Sequence, residues 1–110
     1  MAEALGILGQ VIPADTNLAE AYAVPSLTQA TISSITVCNQ TASPSTFRIS
    51  VANNGELDTP KQYLFYDQPL DAYSSFIITI GITLTSGDKI RVRSGNANAL
   101  SFNVFGIEVS

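Results

Sequence analysis

The chain has 110 residues, 45% hydrophobic and only 13% charged, with no histidine, no tryptophan and a single cysteine. That length suits one domain, 1–110, whose core needs no metal or disulfide to hold it. Without histidine the commonest general base, nucleophile activator and metal ligand are missing; a net charge of −4 gains nothing from counterion release on nucleic acid, and no apolar run is long enough to span a bilayer.

The first ten residues lack a basic region, and Gly6 and Gly9 break their apolar stretch, so they do not read as a secretory signal. Leu5 to Ile12 reads as a glycine-interrupted extended segment ended by Pro13, and residues 1–12 as an arm able to reach a neighbour. Leu18 to Val24 reads as a strand closed by Pro25, although Leu18-Ala19-Glu20-Ala21 could also open a short helix. Thr31 to Asn39 is β-branched, with Ile35 and Val37 on one face. After a turn at Gln40 to Ser45, Phe47, Ile49 and Val51 alternate with Arg48 and Ser50.

Asn53-Asn54-Gly55 is the strongest turn signal, because Asn and Gly tolerate positive φ. Lys61 to Gln68 is aromatic-rich and is expected to end at Pro69. From Tyr73 to Thr85 runs a long strand in which Phe76, Ile78, Ile80, Ile82 and Leu84 alternate strictly, the pattern of a sheet with one buried face. Ser86-Gly87-Asp88 turns into Lys89 to Ser94, where Ile90 and Val92 point inward. In the last strand Leu100, Phe102 and Val104 share one parity and Ile107 and Val109 the other, which predicts a bulge at Phe105-Gly106. Eight strands and no convincing helix predict an all-β antiparallel sandwich, most economically a jelly roll.

The chemical inventory is thin. Asp67 with Asp71, and Glu56 with Asp58, are paired carboxylates without a visible cleft, and they read as loop acids. Asn53 to Asp58 lacks the alternating carboxylates of a calcium loop. Cys38, alone and without a neighbouring base, reads as a buried small hydrophobe. No catalytic residue, metal ligand or cofactor site is expected. Lys89, Arg91 and Arg93 hold three of the five basic side chains on one strand face; they read either as a docking stripe for an acidic partner or as a solvated face paired with nearby acids. Tyr63, Phe65, Tyr66 and Tyr73 read as core and rim, or as a sugar-stacking platform. Low charge suits dense packing against copies of the same protein.

Several segments taken together resemble a family of small virion proteins from tailed bacteriophages, especially cyanophages. They are Leu8-Gly9-Gln10 with Pro13, Tyr22-Ala23-Val24-Pro25, Ile35-Thr36-Val37-Cys38-Asn39-Gln40 and Thr46-Phe47-Arg48-Ile49. Further on come Gln62-Tyr63-Leu64-Phe65-Tyr66-Asp67, Gly81-Ile82-Thr83-Leu84 with Gly87-Asp88-Lys89-Ile90, and Leu100-Ser101-Phe102 with Phe105-Gly106. The resemblance implies a non-enzymatic structural protein made in the host cytoplasm and carried on the virion. Its leading form is a capsid decoration (cement) protein on the head exterior, binding the major capsid protein as a homotrimer, with no nucleic-acid or membrane partner. A tail, baseplate or fibre-associated protein, and a carbohydrate-binding module for the host surface, are the alternatives.

Overall fold

Alternation of apolar and polar residues sets which side of each strand is buried, and here it builds two layers. A computed structural model of the chain describes residues 2–110. Its strands are β1 (Glu3–Val11), β2 (Ala19–Ala23), β3 (Gln29–Asn39), β4 (Ser45–Ala52), β5 (Tyr63–Leu70), β6 (Ser75–Thr85), β7 (Lys89–Ser94) and β8 (Leu100–Val109). One sheet has the order β1-β8-β3-β6 and the other β2-β7-β4-β5, and every pairing is antiparallel. The pairs β1·β8, β2·β7, β3·β6 and β4·β5 are nested. Winding one long hairpin into a jelly roll produces such nesting. The short segment within Leu18 to Val24 is a strand over Ala19–Ala23, not a helix, with Tyr22 buried in it and Val24 buried just after it.

Between the sheets lie Ile32, Ile35, Val37, Leu100, Phe102 and Val104 from the first sheet and Phe47, Ile49, Ile90 and Val92 from the second, all essentially inaccessible. Phe47 is the meeting point. Its ring lies 6.0 Å from Phe65, 5.6 Å from Phe76 and 6.3 Å from Phe102, the tilted and edge-on spacings that aromatic quadrupoles favour. At one end of the sandwich the Tyr22 hydroxyl donates to the Glu108 carboxylate across the layers. Burial, and then that carboxylate, push the Tyr22 phenol well above its ordinary value, so it stays a donor.

The structure departs from the sequence reading at four places. Residues 3–11, expected as a reaching arm, are extended but hydrogen-bonded along β8, with Leu8 and Val11 packed on the core; three residues apart, the two apolar side chains reach the same side because the register shifts at Leu8, and their burial makes docking preferable to a free arm. Met1 lies outside the described residues. The bulge expected at Phe105-Gly106 falls on the neighbouring strands instead. From Ile32 to Ser34, β3 takes two steps against one on β8 and three on β6, and β1 holds Leu8 as an extra residue against β8. β8 itself runs straight, leaving Ile107 and Val109 on the outer face. At Gly106 β3 comes close to β8: a Cβ there would run into the Thr31 carbonyl.

Pro69 does not end β5, which continues to Leu70. A proline is tolerated because β5 is an edge strand and needs hydrogen bonds on one side only. Cys38 is not a core residue; it sits half-buried on the outer face of β3, opposite Ser75 and Ser101.

The Asn53-Asn54-Gly55 turn forms as read, with φ of 53° at Asn54 and 67° at Gly55. Asp88, after Gly87, ties it down by accepting from the backbone N–H of Asn54 (2.8 Å) and of Thr85 (2.9 Å) and from the Thr85 hydroxyl (3.3 Å).

Gly106→Ala should therefore lower stability by about 1–3 kcal/mol through overpacking against β3, read as a lower urea midpoint with an unchanged slope. Acid titration tests the turn. Burial works to raise the Asp88 pKa, but the three hydrogen bonds together hold it below the ordinary carboxylate value. A group depressed in the folded state contributes fully above its unfolded pKa of about 3.9 and loses that contribution as pH falls through the lower folded value. Asp88→Asn should be less stable near neutrality, and the gap from the parent should close as the pH is lowered through that window.

Candidate functional site

The two outer faces differ in kind, and strand parity decides which residues reach each. On the β1-β8-β3-β6 sheet the outward positions carry Leu5, Ile7, Ile77, Phe105, Ile107 and Val109, and otherwise Ser, Thr, Asn, Gln, Gly and Cys38. Among the described residues only Glu3, at a corner, brings a charge to this face. Leu5, Ile7 and Ile77 are mostly solvent-accessible, at 83%, 59% and 69%. That is an apolar, hydroxyl-rich surface with almost nothing ionic to desolvate.

On the opposite face the charges cluster. Lys89, Arg91 and Arg93 do share the outer side of β7, and Arg48 of β4 stands directly opposite Arg93. Each has an intramolecular partner. The Lys89 ammonium lies 3.1 Å from Glu20 of β2. Arg91 donates to the backbone carbonyls of Glu56 (2.7 Å) and Gly55 (3.1 Å), clasping the Asn-Gly turn. Arg93 donates to the Thr16 carbonyl (2.7 Å) and stands 3.7 Å from Asp67. The four cations face Glu20 and Asp67, and Asp58 lies beside Arg48 at the β5 end of this side. The excess of positive charge is therefore confined to β7, where Arg91 is matched only by neutral carbonyls.

Asp67 reaches Arg48 and Arg93 because β5 bulges. Phe47 opposes Gln68 and Ile49 opposes Phe65, so Tyr66 and Asp67 are squeezed into one extra position. Asp67 takes a φ of 51°, a left-handed conformation in which Asp is enriched. Its carboxylate accepts from Arg48 Nε (2.7 Å) and Nη2 (3.1 Å). That bidentate hydrogen bond holds the Asp67 carboxyl below the usual carboxylate range. The guanidinium also lies 3.9 Å over the Tyr66 ring and 5.9 Å from that of Tyr63. Tyr63 and Tyr66 meet edge to face at 5.1 Å.

These side chains wall a recess of about 410 Å³ with Asp58, Thr59 and Pro60. Of the four aromatic residues singled out in the sequence, the structure brings only Tyr63 and Tyr66 together here. Phe65 packs inward against Phe47 and Phe76, and Tyr73 sits on the turn before β6. Arg48 was not singled out as a site residue. Its alternation with Phe47 and Ile49 placed it outward, but only the β5 bulge puts it over a ring. A larger recess of about 500 Å³, bounded by Leu27, Gln29, Thr85 and Val109, offers no aromatic ring and no charged side chain. Among the described residues no three Cys, Asp or Glu side chains converge as a metal site would need, and no helix is long and apolar enough to cross a membrane.

No protein-family model matches the sequence, and no curated protein does. A solved structure does share its fold. A chain of the infectious bursal disease virus structure (Gx strain) superposes with a TM-score of 0.51 at 10% identity, covering 97% of this chain and 29% of its own length. A pentameric capsid protein from metagenomic phage sequences gives a TM-score of 0.41 at 18% identity, covering 94% of this chain and 60% of its own. This chain thus spans under a third of the first and three fifths of the second. The first is a likeness of fold.

The carboxylate between the two arginines is directly testable. Asp67→Asn keeps the tolerance for positive φ while removing the charge, leaving Arg48 and Arg93 facing each other across neighbouring strands. Its thermal midpoint should fall below the parent's at low salt, and the gap should shrink as added salt screens the repulsion.

Proposed function

We propose that this protein is a virion structural component, and specifically a capsid decoration protein. It would sit on the outside of a phage head, associate with its own copies as a homotrimer and brace the major capsid protein beneath. The observation that carries this reading is the nearly charge-free outer face of the β1-β8-β3-β6 sheet. A surface with exposed Leu5, Ile7 and Ile77 but almost no ionic side chains can be covered by protein at little desolvation cost. The fold held in common with a chain of a virus structure is compatible with it, as is the family resemblance of the sequence. The positive stripe along β7, Lys89, Arg91 and Arg93, is then assigned to an acidic partner surface such as the coat, where it would speed and orient docking. The same requirements, a rigid sandwich and an uncharged contact face, also fit a tail, baseplate or fibre-associated protein.

Cys38 lies on the uncharged face and is the chain's sole thiol, so it reports whether that face is covered. A thiol reagent should label it in the dilute protein and should be blocked in the assembled oligomer or on particles. Ile77→Lys, at an exposed position, should leave the monomer folded but abolish association. Labelling that stays equally fast on particles would remove this face from the contact.

A phage lacking the gene decides between head and tail. Decoration predicts particles that still form and adsorb normally but inactivate faster on heating, since many weak bridging contacts add together. Normal heat resistance with failed adsorption would favour the tail reading.

A further inference from the structure

The recess beside the β5 bulge has features that a bracing protein does not use. Its two rings are held at right angles, one presenting a face and the other an edge. Arg48 covers one side of Tyr66 and is itself gripped by Asp67. Tyr66 nevertheless remains 61% exposed. An aromatic surface immobilised in this way loses little freedom when something stacks on it.

The polar groups around the rings are mostly acceptors. Asp58 supplies a carboxylate to the recess that Tyr63 also lines. Among the described residues, two buried side-chain oxygens lack any hydrogen-bond partner, Thr59 Oγ1 and Gln62 Oε1. Both belong to the short segment behind this wall, and both oxygens are closed off from solvent. Native proteins rarely leave such groups unpaired. A ligand suited to this site has apolar patches to lie on a tyrosine and several hydroxyls to donate.

Charge narrows the class. The Arg48 guanidinium is taken up by Asp67, while Asp58 is left facing the recess, so a carboxylated, sulfated or phosphorylated ligand would meet repulsion. A peptide added as an extra strand would need a regular edge. β5 has none, because its pairing to β4 shifts register twice and Pro69 interrupts its donors. The volume of about 410 Å³ falls among small-molecule sites.

We propose that the recess formed by Tyr63, Tyr66, Asp58 and Thr59 beneath Arg48 binds an uncharged saccharide. The sugar's C–H face lies on Tyr66 and its hydroxyls donate to Asp58. This is independent of the virion role and stands or falls separately from it.

Isotope-labelled full-length protein titrated with glucose, galactose, mannose and N-acetylglucosamine, and with their short oligomers, tests the site by amide chemical shifts. N-acetylneuraminic acid serves as the anionic control. At least one neutral sugar should saturably shift the amides of residues 58–66 and of Arg48. Tyr66→Ala should weaken that binding about tenfold or more while core amide signals stay in place, and Tyr73→Ala, on a turn outside the recess, should bind as the parent does. If Tyr66→Ala misfolds, Asp58→Ala provides the same comparison, with loss of binding expected. The proposal is overturned if no neutral sugar shifts these amides, if the anionic sugar binds more tightly, or if the recess variant that folds binds unchanged.

Discussion

The contact on which the rest of this molecule depends is the one between Phe47 and the rings of Phe65, Phe76 and Phe102. Phe47 and Phe65 belong to one sheet, Phe76 and Phe102 to the other, so the cluster sets where the layers meet. Stacked sheets lie about 10 Å apart when large side chains interdigitate between them. Once these four rings face inward, the two-residue period of a strand leaves no freedom for their neighbours. Arg48 must point out because Phe47 points in, and Ile77 must face solvent because Phe76 and Ile78 do not. The charged face and the uncharged face are both consequences of that packing.

Bulges modify the rule, and they do so in two ways. Across β1, β3 and β6 the register shifts fall at one level of the sheet, beside a straight β8. An added residue on each strand bends the sheet and increases its twist, and Gly106 allows β3 to ride close over β8 there. In β5 the extra residue does something different. It turns Tyr66 and Asp67 together onto the outer surface, where one flanks Arg48 with a ring and the other with a carboxylate. The same irregularity blunts an edge strand that would otherwise offer a template to another chain. Structure that protects the edge also builds the recess.

The division of charge between faces has physical consequences for association. Covering ionic groups requires either good pairing or a large desolvation penalty, whereas hydroxyl-rich and aliphatic surface can be buried against almost any complementary shape. On the cationic side Lys89, Arg91 and Arg93 are held by Glu20, by the Asn-Gly turn and by Thr16 and Asp67. Their side chains are thus ordered before any partner arrives. Ordered charge with incomplete neutralisation is what the proposed docking to an acidic surface would use, with little further loss of conformational entropy.

Much of the architecture was legible in the one-dimensional pattern. Strict alternation from Phe76 to Leu84, the positive-φ turn at Asn53-Asn54-Gly55 and the Gly87-Asp88 corner are local properties, fixed by sterics and by the period of a strand, and they appear where the sequence put them. The absence of histidine and the scarcity of charge are likewise complete in composition. What tertiary structure alone decided were relations between distant segments. Nothing local to Leu5–Ile12 says that β8 will pair with it, since an extended segment looks the same whether free or docked. Nothing in Phe105-Gly106 shows that the bulge will fall on β3 instead, because that depends on the register β3 takes against both β8 and β6. And no spacing in the sequence brings Arg48 over Tyr66: that contact needs β4 and β5 side by side and one extra residue in β5 to change which way Asp67 faces. Side-chain periodicity is set by each residue's own neighbours in the chain, whereas register, and with it the recess, is settled only when strands far apart in sequence compete for the same core.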